Sequence, residues 1–443
     1  MRYGLASAAV LGLAMFFACT EDESPPAAQP DGGNASSSSS SSGDLTPPAD
    51  DDDDGEPSDA GPIDAGVPFK AYDVNHVLST GQSLSVGARG TPPLSTTQPF
   101  ANLKLEADAF APLVETTVET MSSAFANLVT QIAADEAKLG DHDLLVTVHG
   151  VGGFSYAQLK KGTTPYANGV AQVKIAADLA KSLGKTHVVR AVTNVHGETD
   201  HNLKSLTYQA DITEWQADYE ADVKAITGQS EPIPMLHTQM SSFTKLGGAG
   251  GSAVSRIPID QLAVHVASNG KSVLVGPKYH LPYVSDGVHL TNEGYRHMGE
   301  DYAKVYRRIV LEGKRWEPLR PIAVTRAGKT ITVKFLVPSP PLVLDDVTVQ
   351  NPADYGFEIA QDGAPPPNIE SVDVTAPDTV TLLLAAEPTG QNRRLRYAFT
   401  GTPAANGGPT TGARGNLRDS DATKSRAGYN LWNWCVHFDE ALP

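Results

Sequence analysis

The sequence predicts an α/β protein in which a parallel sheet is followed by a β-sandwich. Between residues 67 and 314, five short apolar runs rich in β-branched residues alternate with segments of helical periodicity. This alternation favours parallel strands covered by helices on both faces, a three-layer α/β/α domain. From Trp316 onward, short runs of alternating polar and apolar residues are separated by Pro, Gly, Asn and Asp, which is typical of antiparallel strands.

Each element of the α/β part follows from a local pattern. The apolar runs predict strands over residues 75–79, 144–149, 187–195, 234–240 and 272–275. Amphipathic periodicity predicts helices over residues 116–139, 165–183, 207–226, about 253–268 and 292–311, with Thr291 as the N-cap of the last one. In such sheets ligands bind at the carboxyl ends of the strands, so chemistry is expected in the loops that follow them.

The alternating runs after the α/β part predict the sandwich, with strands over residues 330–337, 343–349, 379–384 and 395–400. We therefore predict an α/β domain over residues 67–315 and a β-sandwich accessory domain over residues 316–443. Near the end of the chain, Trp432 and Trp434 are expected to dock one domain on the other rather than to stack on sugar rings. Cys435 is expected to be a buried lone thiol.

The first 19 residues have the form of an export signal. Arg2 precedes an apolar run over residues 5–18 that is too short to span a bilayer and that ends at Cys19. This resembles a bacterial lipoprotein signal, and the resemblance implies that Cys19 is lipidated and anchors the protein at the outer membrane or the cell surface. An ordinary secretory signal is the alternative. Both predict that the protein is exported.

Residues 20–66 predict a disordered linker. They contain thirteen acids, a run of seven serines and no Lys or Arg, and nothing in them can bury a core. Because the whole chain has a net charge of −17, the other residues together carry only −4. No basic surface is predicted that would neutralise phosphates, which excludes nucleic acid as a partner.

The first predicted strand leads into Gly81-Gln82-Ser83-Leu84. Gly81 permits a tight turn, because a residue with a β-carbon resists the backbone angles that such a turn needs. A serine just beyond it lies at the strand tip with its hydroxyl exposed, as a nucleophile requires. Taken alone, the pattern is more often that of a common serine-bearing turn.

A second candidate pair, Asp286 and His289, lies just before the last predicted helix. A spacing of three lets one turn hold the carboxylate against one imidazole nitrogen, so that the other nitrogen faces outward as a base. Each residue alone is more often structural. Together with Ser83 upstream they form the hypothesis of a catalytic triad.

Two further loops offer hydrogen-bond donors of the kind that acyl transfer needs. The strand over residues 144–149 is followed by Gly150-Val151-Gly152-Gly153, where a glycine N–H can approach a substrate oxygen. The strand over residues 187–195 is followed by His196-Gly197-Glu198-Thr199-Asp200. Each loop alone is also explained by a turn glycine and a capping carboxylate.

The four blocks together resemble those of the SGNH (GDSL-like) hydrolases, in particular the sialate O-acetylesterase and carbohydrate esterase family six branch. That family's Gly-Gln-Ser-Asn block is similar to residues 81–84, its Gly-Gly-Thr-x-Ile block to residues 152–156, and its His-Gln-Gly-Glu-Ser-Asp block to residues 195–200. Its terminal Asp-x-x-His is similar to residues 286–289. The resemblance implies an SGNH-hydrolase-like fold with a five-stranded parallel sheet over about residues 67–314.

The resemblance also implies a role for each catalytic residue. Ser83 would attack an ester carbonyl, and His289 would take its proton and return it to the leaving alcohol. Asp286 would orient the imidazole and stabilise its charged form. The backbone N–H groups of Ser83 and Gly153 would bind the oxyanion, and no cofactor is implied.

This sequence departs from the family pattern at two positions. The family's third oxyanion donor, an Asn or Gln side chain, is replaced by His196, which we expect to complete the oxyanion hole because a neutral imidazole donates one hydrogen bond. Leu84 replaces the Asn that follows the serine. Gln82 and Glu198 are expected to support the site, Glu198 by bracing its loop.

These observations predict an exported, surface-tethered serine esterase that removes acetyl or other short acyl groups from an oligo- or polysaccharide. No metal is predicted, because the histidines at positions 142, 149, 187, 196 and 201 lack ligand spacing such as His-Glu-x-x-His. Two alternatives stay open, a carbohydrate-binding surface protein that has lost catalysis and a lipase or thioesterase of the same fold. The intact triad weighs against the first, and the polar loop over residues 153–162 against the second.

Overall fold

The computed structural model describes residues 68–248 and 250–443. The predicted signal peptide, Cys19 and the whole of the predicted linker over residues 20–66 lie outside these residues. The described residues all belong to one compact unit, so the domain limits at residues 67–315 and 316–443 stay predictions. Within the described ranges, no helix has both the length and the apolar character needed to cross a membrane.

A seven-stranded mixed sheet forms the centre of the α/β part. Its strands, in chain order, are β1 (Val74–Gly81), β2 (Leu103–Glu106), β3 (Ala109–Pro112), β4 (Leu144–Val148), β5 (His187–Val195), β6 (Met235–Gln239) and β7 (Ser272–Pro277). Their order across the sheet is β3-β2-β4-β1-β5-β6-β7. The five predicted strands are β1, β4, β5, β6 and β7, and they pair in parallel as expected.

The sequence analysis missed the hairpin of β2 and β3 at one edge of the sheet. Its strands have only four residues each and are half-buried or exposed, so they show neither the apolar run nor the clean alternation that marks a strand. The hairpin turns at Ala107, which adopts a φ of 50°. It pairs with β4 and widens the sheet without changing its centre.

The described residues of this part form seven α-helices. They are α1 (Met121–Asp135), α2 (Tyr156–Leu159), α3 (Thr164–Ser182), α4 (Glu198–Asn202), α5 (Tyr208–Thr227), α6 (Ile257–Ala267) and α7 (Asn292–Tyr306), which continues into a π-helical turn, Arg307–Leu311. Helix α1 begins later than the predicted residue 116, because Thr120 caps it by accepting from the N–H of Ser122. The predicted N-cap of α7 is confirmed, since the Thr291 hydroxyl accepts from the N–H of Gly294.

Helices cover both faces of the sheet, which confirms the three-layer architecture. Successive residues of a strand point to opposite faces, so Val77 and Leu78 of β1 enter different cores. Val77 packs in a core shared with α1 and α7, whereas Leu78 packs in one shared with α3, α5 and α6.

The rest of the chain is a β-sandwich, as predicted. Its strands are β8 (Arg320–Ala327), β9 (Thr330–Leu336), β10 (Val343–Leu344), β11 (Phe357–Asp362), β12 (Ile369–Ala376), β13 (Thr379–Leu384), β14 (Gln391–Tyr397), β15 (Leu417–Arg418) and β16 (Phe438–Ala441). A four-stranded sheet, β12-β13-β9-β8, and a three-stranded sheet, β11-β14-β16, share one apolar core that includes Val333, Leu382, Tyr397 and Phe438. Strands β10 and β15 form a separate pair.

The last part of the chain packs back onto the α/β part. Leu431 lies in the core of α1 and α7, and Trp434 is only 3% exposed and stacks on His280. The predicted docking role is therefore confirmed for Trp434. Trp432 is half-buried, with the Arg418 guanidinium 3.6 Å from its ring centre. Cys435 is buried as predicted, and burial raises the pKa of its thiol.

Candidate active site

Gly81 ends strand β1 and makes the turn that presents Ser83. Its φ is 125°, and a β-carbon there would lie 2.3 Å from the carbonyl oxygen of Val195 in the neighbouring strand β5. The N–H of Gln82 donates to the same oxygen at 3.1 Å. Only glycine combines this backbone angle with this close approach, so Gly81 fixes the serine at the carboxyl end of the sheet.

Ser83, His289 and Asp286 form a continuous line of hydrogen bonds. Ser83 Oγ lies 2.8 Å from His289 Nε2, and His289 Nδ1 lies 2.9 Å from Asp286 Oδ2. Because the carboxylate accepts, Nδ1 carries the proton and Nε2 is the free base that faces the serine hydroxyl. The fold thus brings together a serine and a histidine that are 206 positions apart in the sequence.

The loop before α7 holds Asp286 as an anion. Its Oδ1 accepts hydrogen bonds from the N–H groups of Val288 and His289, both at 2.9 Å. Burial alone would raise the pKa of Asp286, but these two N–H groups and the imidazole lower it below its ordinary value. The carboxylate is therefore charged at neutral pH and can stabilise an imidazolium at His289.

The loop after β4 lies directly against the nucleophile. A β-carbon on Gly152 would lie 3.7 Å from Ser83 Cβ, and Gly153 adopts a φ of 77°. Within residues 68–248 and 250–443, no protein acceptor takes the N–H of Ser83 or of Gly153. Both groups are therefore available to a substrate oxygen, which is what an oxyanion hole requires.

Gln82 connects the three loops that meet at the site. Its side-chain oxygen accepts from the N–H of Thr199, at 3.2 Å, and the Thr199 hydroxyl donates to the carbonyl oxygen of Gly153 at 3.1 Å. Gln82 itself is buried. It supports the site in the sense predicted, because it ties the nucleophile turn to the loops after β4 and β5.

His196 lies behind the site rather than in it. Its imidazole is buried, with Nδ1 2.8 Å from the Tyr208 hydroxyl and Nε2 3.1 Å from the carbonyl oxygen of Phe154. Since a carbonyl can only accept, Nε2 carries the proton and Nδ1 accepts from the tyrosine. Both ring nitrogens are thus occupied, and burial lowers the pKa of His196. The prediction that His196 donates to the oxyanion is wrong; it holds the loop that carries Gly153.

Glu198 braces its loop through a buried ion pair that the sequence analysis missed. Lys278 Nζ donates to Glu198 Oε1 at 2.9 Å, and both side chains are buried. Burial alone would raise the pKa of Glu198, but the ammonium lowers it, so the carboxylate is charged. Lys278 follows β7, and no local pattern marks it as the partner of a residue 80 positions earlier.

The β-sandwich part contacts the loop that carries Asp286. The N–H of Gly407 donates to the carbonyl oxygen of Gly287 at 2.9 Å. The side-chain N–H of Asn406 donates to the carbonyl oxygen of Ser285 at 3.4 Å. Two residues before Asn406, the N–H of Ala404 donates to the carbonyl oxygen of Thr244 at 2.7 Å. These contacts were not predicted, because nothing in residues 400–410 resembles a catalytic motif.

No protein-family model and no curated protein matches this sequence. Solved structures do match. A carbohydrate acetylesterase from Xanthomonas citri is 16% identical, with a TM-score of 0.50 over 83% of this chain and 80% of that chain. A carbohydrate acetylesterase from Sinorhizobium meliloti is 14% identical, with a TM-score of 0.31 over 52% of this chain and 97% of its own length.

An aryl esterase from M. smegmatis is likewise 14% identical, with a TM-score of 0.31 over 53% of this chain and 98% of its own length. The match to the Xanthomonas citri enzyme extends over both the α/β part and the β-sandwich, since it covers more of the chain than the α/β part alone contains. The chain has the SGNH-hydrolase fold, as its four sequence blocks predicted.

Proposed function

We propose that this protein is a serine esterase that removes acetyl or similarly short acyl groups from a carbohydrate through an acyl-enzyme. The observation that carries the proposal is the hydrogen-bonded line from Ser83 Oγ through His289 to Asp286, at 2.8 and 2.9 Å. A nucleophile, a base and an orienting anion in this arrangement perform acyl transfer on several unrelated folds. A protein that only binds sugar has no use for it.

The first half-reaction forms the acyl-enzyme. Ser83 Oγ attacks the ester carbonyl carbon while its proton moves to His289 Nε2, and the charged Asp286 stabilises the resulting imidazolium. The negative oxygen of the tetrahedral intermediate is bound by the N–H groups of Ser83 and Gly153. His289 then returns the proton to the sugar oxygen as the carbon–oxygen bond breaks and the alcohol leaves.

The second half-reaction releases the acid. A water molecule takes the place of the alcohol, gives its proton to His289 Nε2 and attacks the acyl carbon of the ester at Ser83. The second tetrahedral intermediate uses the same two N–H groups. When it collapses, His289 protonates Ser83 Oγ and the carboxylic acid departs, so no metal or cofactor enters the cycle.

Two observations support a carbohydrate ester as the substrate. The structure matched over both parts of the chain is named a carbohydrate acetylesterase. The loop after Gly153 is polar, and its Lys161 forms ion pairs with Asp218 and Asp222 of α5 rather than lining an apolar acyl channel. A lipase would need such a channel for a long acyl chain.

We also propose where the protein is located, and this part of the proposal rests only on the signal-like sequence pattern over residues 1–19. Export and lipidation at Cys19 would keep the enzyme at the cell envelope, where the linker over residues 20–66 gives it reach towards a polysaccharide. Metabolic labelling with a radioactive fatty acid tests this point. We expect label in the wild-type chain and none in Cys19→Ser, whereas equal labelling of the two would contradict lipidation at Cys19.

Hydrolysis of acetylated xylan and of p-nitrophenyl acetate tests the reaction. We expect release of acetate by the wild type and a loss of several orders of magnitude in kcat for Ser83→Ala. The control is Ser371→Ala, a half-buried serine of β12 in the β-sandwich part, which is expected to match the wild type. An active Ser83→Ala variant would overturn the proposal, and a preference for p-nitrophenyl octanoate over the acetate would favour a lipase.

A further inference from the structure

Three chemistry-bearing side chains that the catalytic mechanism does not use meet beside α7. His297 and Asp301 lie one turn apart on this helix, and His280 comes from the loop after β7. Each offers one atom that can bind a metal, and these three atoms lie within 4.8 Å of one another. We call these three residues the His280 cluster.

The cluster contains buried polar atoms that lack a partner in the described part of the chain. His297 Nε2 and Asp301 Oδ1 are both buried without a hydrogen bond, and they face each other at 3.9 Å. On the other side of the carboxylate, Oδ2 lies 3.3 Å from His280 Nε2. Buried polar groups in folded proteins are nearly always satisfied, so two that point at each other across such a gap indicate a missing ligand between them.

A divalent transition-metal ion fits this gap. Imidazole nitrogen and carboxylate oxygen are ligands that Zn²⁺ takes at about 2.0–2.2 Å, usually in a tetrahedral arrangement. In that arrangement two ligand atoms are roughly 3.4 Å apart. His280 Nε2 lies 3.3 Å from Oδ2 of Asp301 and His297 Nε2 lies 3.9 Å from Oδ1, so each imidazole is near that spacing from one oxygen of the same carboxylate. Three protein ligands leave a fourth position for water.

The charges around the cluster also suit a cation. The nearest ammonium, that of Lys304, donates to the side-chain oxygen of Asn433 at 2.7 Å and to the carbonyl oxygen of Leu431. It is also paired with Asp421 at 3.3 Å. Lys304 and Asp421 thus balance one another, and the Asp301 carboxylate leaves one negative charge for an incoming ion.

The surroundings indicate a structural ion rather than a catalytic one. The Trp434 ring stacks on His280, with ring centres 5.6 Å apart, and the Tyr429 ring packs against His297 at 4.5 Å. The cavity beside His280 and Asp301 measures about 20 Å³, which holds about one water molecule and no substrate. An ion here would tie α7 and the loop after β7 to each other beneath the C-terminal segment.

We propose that His280, His297 and Asp301 bind one structural divalent transition-metal ion, with Zn²⁺ as the representative probe, and that this ion stabilises the junction between α7 and the loop after β7. The three ligands have no metal-ligand spacing along the sequence. His297 and Asp301 share a helix face, four residues apart, whereas His280 comes from a different element, so no sequence motif marks the set.

The proposal is tested by treating the full chain with a chelator and then titrating it with Zn²⁺ alone in an isothermal calorimeter. We expect one ion per chain for the wild type and at least a tenfold weaker affinity for Asp301→Asn and for His297→Gln. Two conservative variants are used so that the test still works if either variant fails to fold. The matched control is His265→Gln, a buried histidine of α6 outside the cluster, which is expected to bind as the wild type does.

Two further readouts separate metal binding from a purely structural cluster. Zn²⁺ is expected to raise the Tm of the wild type and of His265→Gln but not that of Asp301→Asn. Bound Co²⁺ is expected to give the visible absorption of a tetrahedral site in the wild type but not in Asp301→Asn. Equal Zn²⁺ binding by wild type and Asp301→Asn, or no binding by the folded wild type, would overturn the proposal whatever the esterase assay shows.

Discussion

A β-carbon on Gly287 would lie 2.4 Å from Asn406 Oδ1, so the residue that follows Asp286 is in close contact with a residue of the β-sandwich part. The backbone of Gly287 is also held there, since its carbonyl oxygen accepts from the N–H of Gly407 at 2.9 Å. Its φ of 72° is one that residues with a β-carbon rarely adopt. The position of Asp286 therefore depends on both halves of the structure.

Replacing Gly287 by alanine is expected to displace the Asp286 loop. Both the backbone angle and the contact with Asn406 oppose a β-carbon, and a shift of about 1 Å in a catalytic group costs on the order of 100-fold in rate. We expect kcat on p-nitrophenyl acetate to fall by roughly 10- to 100-fold with little change in KM.

Gly140→Ala is the matched control for that substitution. Gly140 has a φ of 74°, but nothing lies within 4 Å of the position that a β-carbon would take. The control is expected to lose about 1 kcal/mol in the free energy of unfolding and to keep its kcat. A Gly287→Ala variant as active as this control would show that the contact with Asn406 does not matter.

His196→Gln is expected to affect stability more than chemistry. The substitution disturbs two buried hydrogen bonds, to Tyr208 and Phe154, so we expect a loss of about 1–3 kcal/mol in the free energy of unfolding. Because His196 is neutral and does not face the oxyanion, the shape of the pH–rate profile is expected to stay that of the wild type. A loss of roughly 100-fold or more in kcat at unchanged stability would instead restore His196 to the oxyanion hole.

Lys278→Met is expected to leave a buried carboxylate without its partner. Breaking a buried ion pair in this way costs about 3–5 kcal/mol, which urea denaturation measures directly. The double variant Lys278→Met and Glu198→Gln removes both charges and is expected to be more stable than Lys278→Met alone. If the two variants unfold at the same urea concentration, the Glu198 carboxylate left alone in Lys278→Met does not lower the free energy of unfolding.

Acid is expected to destabilise the protein already below pH 6.5, through histidines that are buried in the neutral form. Burial lowers the pKa of His149, His237 and His437 to about 4. Between pH about 6.5 and 4 the unfolded chain binds protons on these imidazoles and the folded chain does not, so the free energy of unfolding rises with pH in this window. The stabilisation that these histidines contribute is expected to be fully present above pH about 6.5 and to be lost as the pH falls towards 4.

His437→Gln isolates one contribution to that slope. His437 Nδ1 donates to the carbonyl oxygen of Ala398 at 2.6 Å, and Nε2 lies 2.8 Å from the Ser241 hydroxyl, so the folded state satisfies its neutral form. Urea denaturation across this pH range is expected to give a slope smaller by about 1.4 kcal/mol per pH unit than in the wild type. A variant with the wild-type slope would show that His437 is protonated in the folded state.

The sequence predicted the residues whose positions depend on local pattern. Ser83 follows a strand and a turn glycine, and Asp286 and His289 are three residues apart before a well-capped helix, so both halves of the triad were visible as short motifs. The five strands of the parallel centre were visible as apolar runs. In contrast, the β2–β3 hairpin carries too weak a pattern to be seen.

The residues that the sequence did not reveal act through distant partners. His196 occupies the family position of an oxyanion donor, and only the hydroxyl of Tyr208 and the carbonyl of Phe154 show that its ring faces away. Lys278 and Asn406 lie in stretches without motifs, and their roles follow from partners 80 and 121 positions earlier. Such pairings are set by the packing of elements, which spacing along one sequence does not encode.

Because the chain is synthesised from its N-terminus, the contact between Asn406 and Gly287 can form only after residue 406 has been made. The ribosome makes Ser83 early, Asp286 and His289 later, and the segment that secures their loop later still. A chain released early, after His289 but before residue 406, would hold all three catalytic side chains without that restraint. If the proposed activity depends on this contact, it appears only once synthesis has passed residue 406.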